Sequence, residues 1–358
     1  MINCFLWRTT FFIVAFGMFS AFNPVQSDEL PVKLVKDYTT FMKLAKSPLA
    51  DMPKAKAWKK TAPKVQSISI KSSADGSLQP ALFYDSGSLR KKPLLLVLHS
   101  WSANYMQHFS IPYGVWAVEN DWVFIHPNFR GDFDNPEAGA SELAIQDVLD
   151  ALEYAKKNAR IDESRVYLVG FSGGGMMTLN MVGRYPELWT AAVAWVPVYD
   201  LVAWYATTRH ATHDYSHDIE RCCGGAPLPG TPAAKECAKR SPRTYLANAW
   251  GKGVRVYLAT GIKDRFVPPD HSLRAFNDLA DENDRFTEAE ISEIVEKQKI
   301  PDRLTGNYYD GLYEAAGKKL LLEKISNDVT LKIFEGTHDV IYNAGLFWLS
   351  QQSRKNRS

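Results

Sequence analysis

A serine in a glycine-rich turn is the first feature of this sequence that could carry chemistry. Ser172 lies in the pattern Gly-Phe-Ser-Gly-Gly, directly after the apolar run RVYLVG and before the helical pattern GGMMTLNMVGRY. A sharp turn between a strand and a helix needs small residues two before and two after the serine, and it exposes the serine hydroxyl. The glycine spacing of a dinucleotide loop and the Gly-Lys-Ser or Gly-Lys-Thr of a phosphate loop are both absent. The pattern therefore predicts a nucleophilic serine, and the alternative is a serine that only caps a helix.

A nucleophilic serine needs two partners. A histidine must remove the proton of the hydroxyl, and an acid must orient that histidine and stabilise its charged form. For this kind of turn the expected order along the chain is serine, acid, histidine. Asp264 follows the strand pattern VRVYLAT, and His338 follows the strand pattern VTLKIF. Because parallel strands present their carboxyl ends at one edge of a sheet, we predict that Ser172, Asp264 and His338 form a catalytic triad.

Other acids and histidines are weaker candidates. Asp270 lies at a predicted helix start, where helix capping explains it, and Asp339 is expected to point away from its neighbour in the sequence, His338. We interpret His108 and His126 as structural residues with satisfied hydrogen bonds rather than as bases.

The tetrahedral intermediate of acyl transfer also needs two donors for its oxyanion. One is expected to be the backbone N–H of Gly173, and the other that of Trp101, in the loop HSWSANY after the third strand. The indole of Trp101 could also form a wall of the substrate pocket. Aromatic residues near the predicted site are further substrate-binding candidates, although such residues more often hold a lid onto its domain. They are Phe171, Trp204 and Tyr205, with Tyr215 and Tyr308 as additional aromatic surfaces.

The elements that position these residues alternate between strand and helix patterns from Val65 onward. Eight short runs rich in β-branched and aromatic residues alternate with longer amphipathic segments, of which 142–159 is the clearest helix. This alternation predicts an α/β fold with a mostly parallel sheet of about eight strands and helices on both faces. Residues 65–358 form the catalytic domain, with insertions at 199–250 and 281–327 over the active-site edge, the second containing about two extra helices. Residues 28–64 read as a helical lead-in to which no function is assigned.

Composition and the N-terminal segment bear on location and partners. The chain has 358 residues, 46% hydrophobic and 23% charged, and a net charge of +2, which indicates a globular protein without a nucleic-acid partner. Residues 1–27 combine Arg8, an apolar stretch and small residues before Asp28, as in a cleaved signal peptide. The alternative is an uncleaved anchor. We expect a secreted or periplasmic protein with no stable membrane association after cleavage.

Cysteines and histidines in the first insertion add two expectations. In an oxidising compartment one of the adjacent Cys222 and Cys223 is expected to bridge to Cys237, and the sequence does not choose between them. Zinc could be held by three histidines with helical spacing, but a polar lid helix also explains the spacing, and we predict no metal and no cofactor. Those histidines are His210, His213 and His217.

Taken together, these motifs resemble an α/β-hydrolase, and within that fold the catalytic domain of the prolyl oligopeptidase family of serine peptidases and related secreted esterases. The residues that carry the resemblance are HPNFRG (126–131), the strand, turn and helix around Ser172, and the segments AAVAWVPVYDL, GIKDRFVPP and EGTHD. Two departures stand out. The family's usual Ser-Tyr-Gly-Gly is here Ser172-Gly173-Gly174-Gly175, and residues 28–64 leave no room for the family's propeller domain.

The resemblance implies a serine hydrolase that forms an acyl-enzyme intermediate on Ser172 with Asp264 and His338. Without a propeller to filter substrates by size, we favour carboxylic esters, including acyl groups on carbohydrates, over peptide bonds. A peptidase like the prolyl oligopeptidases is the alternative, and a catalytically silent binding scaffold is a third reading. The expected partners are a small-molecule ester, an acylated carbohydrate or a peptide.

Overall fold

The structure is a computed structural model, and it describes residues 32–209 and 214–354. The predicted signal peptide at 1–27 and the histidines His210 and His213 lie outside the described residues. Within the described part of the chain, no helix is both long and apolar enough to cross a membrane.

Nine strands form one sheet. In chain order they are β1 (Gln66–Lys71), β2 (Leu78–Tyr84), β3 (Lys92–Leu98), β4 (Val123–Pro127), β5 (Ile161–Phe171), β6 (Ala191–Trp195), β7 (Arg255–Gly261), β8 (Leu320–Ser326) and β9 (Val329–Phe334). Their order across the sheet is β1-β2-β4-β3-β5-β6-β7-β9-β8. The six strands from β4 to β9 in this order are parallel, whereas β1, β2 and β8 pair antiparallel at the two edges.

Twelve α-helices surround the sheet in the described residues. They are α1 (Phe41–Ala45), α2 (Lys54–Thr61), α3 (Ile111–Glu119), α4 (Glu142–Asn158), α5 (Gly173–Arg184), α6 (Leu201–Thr208), α7 (Ser216–Cys223), α8 (Pro232–Arg240), α9 (Asp270–Leu279), α10 (Glu288–Lys297), α11 (Gly311–Ala315) and α12 (Tyr342–Ser350). The clearest sequence pattern gives the longest helix, α4. Its Ser141 cap accepts from the N–H of Ala144, and Lys156 and Lys157 lie in its last turn, where cations favour the helix dipole.

The core consists of two layers, one on each face of the sheet. One layer holds α4, α5 and α9, and the other holds α1, α2, α3 and α12. The central strand β3 is buried along its whole length, as expected for a strand covered on both faces. The lead-in residues Leu44 and Trp58 are buried in the second layer, so this segment is packed onto the sheet domain.

The two predicted insertions differ in content. The first contains α6, α7 and α8. The second contains α10, α11 and also β8, which brings the sheet to nine strands where the sequence predicted about eight. Strand β8 is an edge strand with a mixed burial pattern, so its sequence lacks the continuous apolar run that marks the central strands.

Candidate active site

Ser172 lies at a strained turn between β5 and α5. Its backbone has φ 58° and ψ −117°, a conformation that L-residues rarely adopt, and its N–H donates to the carbonyl oxygen of Trp195 at 2.9 Å. A Cβ atom at Gly170 would lie 2.0 Å from the carbonyl oxygen of Gly174, and one at Gly174 would lie 2.3 Å from that of Leu98. The turn therefore accepts only glycine at both positions, which is the spacing that the sequence shows.

Asp264 and His338 are hydrogen-bonded to each other. Nδ1 of His338 lies 2.7 Å from Oδ2 of Asp264. The other carboxylate oxygen, Oδ1, accepts the backbone N–H groups of Phe266 at 2.9 Å and Val267 at 3.1 Å. The Asp264 side chain is fully buried, whereas that of His338 is 12% exposed. This arrangement holds the acid in one orientation and leaves the far side of the imidazole open to the site.

A close approach of two loops brings the pair together. A Cβ atom at Gly261, the last residue of β7, would lie 2.2 Å from the carbonyl oxygen of Thr337. The N–H of Lys263 donates to the carbonyl oxygen of Gly336 at 2.9 Å. Because Gly261 has no side chain, the loop after β9 can lie directly on the end of β7, and His338 then reaches Asp264.

The imidazole of His338 also packs against two phenylalanines. Its ring centroid is 4.8 Å from that of Phe171, the residue before Ser172, and 5.3 Å from that of Phe266. The structure therefore places all three predicted triad residues at one edge of the sheet, with the histidine ring against the neighbour of the serine.

Gly173 lies directly against the backbone of Trp101. A Cβ atom at Gly173 would be 2.7 Å from the backbone nitrogen of Trp101. The N–H of Gly173, at the start of α5, precedes the hydrogen-bond ladder of the helix. A side chain at position 173 would collide with the backbone of Trp101, so glycine stands where the resemblance led us to expect tyrosine because the Trp101 loop occupies that space.

His99 is a supporting residue that the sequence analysis missed. Its buried ring stacks on Phe129 at 3.9 Å, and its two nitrogens lie 2.7 Å from the carbonyl oxygen of Asn128 and 3.0 Å from that of Ser100. Burial lowers the pKa of His99 to about 4. The ring is thus neutral at pH 7, and it fixes the segment that leads to Trp101. The sequence signal that could have identified His99 is its position directly after the buried, apolar strand β3.

The rival residues have structural partners. Asp339 is fully buried, pairs with Lys318 at 2.9 Å and accepts the N–H of Met42 at 3.1 Å. His108 donates from Nε2 to the carbonyl oxygen of Met52 at 2.8 Å. Asp270 lies in the first turn of α9 rather than at its cap, which is Pro269.

His126 departs from the expectation of a fully satisfied ring. Nδ1 lies 2.9 Å from the carbonyl oxygen of Val97, but the buried Nε2 has no hydrogen-bond partner among the described residues. Burial holds the pKa of His126 well below its usual range, so the ring stays neutral in the core.

The predicted substrate-binding aromatics are buried, and two of them, Trp101 and Trp204, join the first insertion to the site. Trp204 donates from its indole to the carbonyl oxygen of Phe266 at 2.7 Å, and Trp101 donates to Asp218 at 3.2 Å. The rings of Trp101 and Trp204 meet at 4.8 Å. Tyr205 donates to Glu220 at 2.6 Å. These contacts are those of residues that hold a lid, and a direct contact of Trp101, Trp204 or Tyr205 with substrate stays a prediction.

The histidines of the first insertion give no metal site in the described residues. The side chain of His217 is exposed and lies 3.5 Å from Glu220. Among 32–209 and 214–354, no group of three or more histidine, cysteine or acidic side chains is arranged to hold a metal ion.

The structure pairs Cys223 with Cys237 and leaves Cys222 as a buried thiol. The bridge joins α7 to α8, whereas Cys222 faces the other way, where its sulfur would lie 2.8 Å from a Cβ at Gly139. Successive residues of a helix point about 100° apart, so only one of two adjacent cysteines can face α8. Burial raises the pKa of the Cys222 thiol to about 11, which makes it a poor nucleophile.

Reducing the Cys223–Cys237 bridge is expected to loosen the insertion at 199–250 without unfolding the sheet. The two cysteines are 14 residues apart, and a loop of that length corresponds to about 3 kcal/mol of stabilisation. Hydrogen exchange with and without reductant measures the effect, and Cys222→Ser is the control that keeps the bridge. Three free thiols in unreduced peptides, or a sheet that opens together with the insertion, would contradict this prediction.

Acidification is expected to destabilise the fold through its buried histidines. Burial lowers the pKa of His99, His126 and His271. As the pH falls below about 6.5, the unfolded chain binds protons on these rings while the folded chain does not until the lowered folded pKa of each ring is reached, so stability falls. For His99, whose folded pKa is about 4, the loss is on the order of 3 kcal/mol.

Melting temperatures at pH 7 and pH 5 check the acid effect. His99→Gln is expected to weaken the pH dependence, and His217→Gln, at an exposed position, is expected to leave it unchanged. Equal pH dependence in the two variants would show that His99 does not contribute.

Comparisons with known proteins agree with this geometry. A model of the prolyl oligopeptidase family matches residues 109–292, just over half of the chain. Mouse acylamino-acid-releasing enzyme is 28% identical over 146 residues, which are 39% of this chain and 18% of that enzyme. Feruloyl esterase B of Thermothelomyces thermophilus is 27% identical over 202 residues, 49% of this chain and 60% of that esterase. The chain thus matches less than two thirds of the length of either relative.

Solved structures show the same fold. The puromycin-hydrolyzing peptidase of Mycobacterium tuberculosis superposes with a TM-score of 0.51 at 17% identity, over 80% of this chain and 38% of that one. The acylaminoacyl peptidase of Pyrococcus horikoshii gives a TM-score of 0.50 at 15% identity, over 76% of this chain and 37% of that one. The predicted α/β-hydrolase fold is confirmed. With the match of the family model, this shows that the chain belongs to the prolyl oligopeptidase family.

Proposed function

We propose that this chain is a serine hydrolase that works through an acyl-enzyme intermediate on Ser172. The observation that carries the proposal is the hydrogen-bonded Asp264–His338 pair, whose histidine ring packs beside the strained turn of Ser172. In acyl transfer, Oγ of the serine attacks the carbonyl carbon of the substrate, and its proton passes to Nε2 of the histidine. Asp264 keeps the proton on Nδ1 and stabilises the imidazolium.

The backbone N–H groups of Gly173 and Trp101 are the proposed donors to the oxyanion of the tetrahedral intermediate. The close contact between position 173 and the backbone of Trp101 supports this assignment. The intermediate then collapses, and the leaving group departs with the proton held by His338. A water molecule repeats the sequence on the acyl-enzyme and releases the acid and free Ser172.

We favour carboxylic esters, including acyl groups on carbohydrates, as substrates. The similarity to the feruloyl esterase extends over 202 residues and 60% of that enzyme. The similarity to the mouse acylamino-acid-releasing enzyme extends over 146 residues and 18% of that enzyme. An ester also needs less protonation of its leaving group than an amide does. The acylamino-acid-releasing relatives support the alternative, a peptidase that acts on peptide bonds.

Export is part of the proposal. The sequence of residues 1–27 predicts a signal peptide, and the Cys223–Cys237 bridge suits an oxidising compartment. The protein is then secreted or periplasmic. Mass spectrometry of the mature N-terminus after expression with residues 1–27 tests this, and a start at Met1 in exported material would contradict cleavage.

A fluorophosphonate probe tests the chemistry, because only an activated serine is labelled. We expect the label on Ser172. Turnover of acetyl, feruloyl and glucuronoyl esters beside dipeptide amides then decides the substrate class. Faster amide turnover would favour the peptidase, and an unlabelled protein would indicate a silent scaffold.

A further inference from the structure

A phenylalanine of the lead-in lies beside the candidate active site. The ring of Phe41 is 4.9 Å from that of Phe171 and 4.2 Å from that of Phe109. Phe171 in turn packs against the imidazole of His338 at 4.8 Å. A continuous row of rings therefore leads from the histidine to the lead-in, the segment to which the sequence assigned no function.

The backbone of Phe41 is fixed to the residues that follow His338. Its N–H donates to the carbonyl oxygen of Val340 at 3.0 Å, and the N–H of Tyr342 donates to that of Thr39 at 3.2 Å. The N–H of Met42 donates to the buried Asp339. The position of the Phe41 ring is thus set by the loop that carries the catalytic histidine.

The row of rings is only partly covered. Phe41 and Phe109 are half-buried, whereas most large apolar side chains of the sheet domain are fully buried. Aromatic faces and edges next to a reacting group offer apolar surface and a preferred edge-to-face geometry for another ring.

We propose that Phe41, Phe109 and Phe171 form an aromatic subsite that binds an aryl group of the substrate, with Phe41 as a residue that determines specificity. The assignment rests on the proposed role of Ser172. The substrate class is then an ester or amide that carries a flat ring close to its carbonyl, on the acyl or the leaving-group side, rather than a small aliphatic acyl ester alone.

Two sulfonyl fluorides that differ in one group test the subsite without assuming an ester or a peptide. In both, Oγ of Ser172 attacks sulfur, fluoride leaves and the serine proton passes to His338. Phenylmethanesulfonyl fluoride carries an aryl group and methanesulfonyl fluoride does not. Inactivation rates are measured for the full chain and for Phe41→Ala, Phe41→Trp and the exposed control Tyr309→Ala.

We expect Phe41→Ala to slow inactivation by the aryl reagent about tenfold and to leave the rate with the methyl reagent unchanged. Phe41→Trp, which keeps a ring, and Tyr309→Ala are expected to behave like the unchanged chain. Equal slowing with both reagents would assign Phe41 to positioning the histidine loop, and no slowing would remove it from the site; either result overturns the proposal.

Two further measurements cover other failures. If Phe41→Ala does not fold, Phe109→Leu, on a different segment, is tested in the same way with the same expectation. If neither reagent labels the unchanged chain, the proposed function fails. Binding to the subsite is then measured by saturation-transfer NMR with benzyl alcohol. We expect the saturation-transfer signal of benzyl alcohol to be lost in Phe41→Ala. A signal that persists in this variant would overturn the subsite.

Discussion

Replacing Ser172 by alanine is expected to lower kcat by about six orders of magnitude, the scale seen when a triad nucleophile is removed. The fold is expected to survive, because the hydrogen bond from position 172 to Trp195 comes from the backbone N–H. Alanine and serine also bear the same cost at φ 58°, since both carry a Cβ. Turnover of 4-nitrophenyl acetate and the melting temperature together measure the two expectations.

A matched control separates the nucleophile from other hydroxyls. Ser326 is also buried, but it lies in the edge strand β8, where its hydroxyl donates to Asp284 at 2.6 Å. Ser326→Ala is expected to keep its turnover. If Ser172→Ala retains more than a trace of activity while it remains folded, the serine is not the nucleophile.

Replacing Asp264 by asparagine is expected to lower kcat by about four orders of magnitude with little change in substrate binding. The structure indicates the reason at the level of atoms. The oxygen of the new amide would keep the two backbone donors, the N–H groups of Phe266 and Val267, and its NH₂ group would then face Nδ1 of His338. The histidine would have to carry its proton on Nε2, where it cannot accept one from Ser172.

The pH-independent kcat and the KM of the variant check this expectation. Asp270→Asn is the control, because Asp270 lies near the same loop but pairs with Arg274, at 3.7 Å. A fall of about tenfold or less would mean that another acid orients the histidine. Asp339 would then be the first to test, since it is buried next to His338 in the chain.

The sequence predicts most of the sheet and the three triad positions for a physical reason. Central strands such as β3 are covered on both faces, so they must be continuously apolar, and the ends of parallel strands must meet at one edge. Asp264 and His338 directly follow two such strands. At these two positions, the local sequence pattern and the arrangement of strands in the sheet therefore predict the same location.

Features that depend on contacts between distant segments could not be read from the sequence. Strand β8 is stabilised by pairing with β9 rather than by an apolar run of its own. Phe41 lies against Phe171 because the lead-in pairs with residues after His338, which no local pattern indicates. The choice of Cys223 over Cys222 depends on which side of α7 faces α8, and Trp204 is buried because Phe266 supplies a partner for its indole.

The contact between Gly173 and Trp101 restricts how this site can change over evolution. Tyrosine at position 173 would place its Cβ within 2.7 Å of the Trp101 backbone, so this single substitution is expected to be damaging as long as the present loop remains. A changed loop alone would leave a gap beside the Gly173 amide, the proposed donor to the oxyanion. The two positions are therefore epistatic: a lineage can pass between this arrangement and the tyrosine form only by altering the loop and residue 173 together, or through a poorly active intermediate.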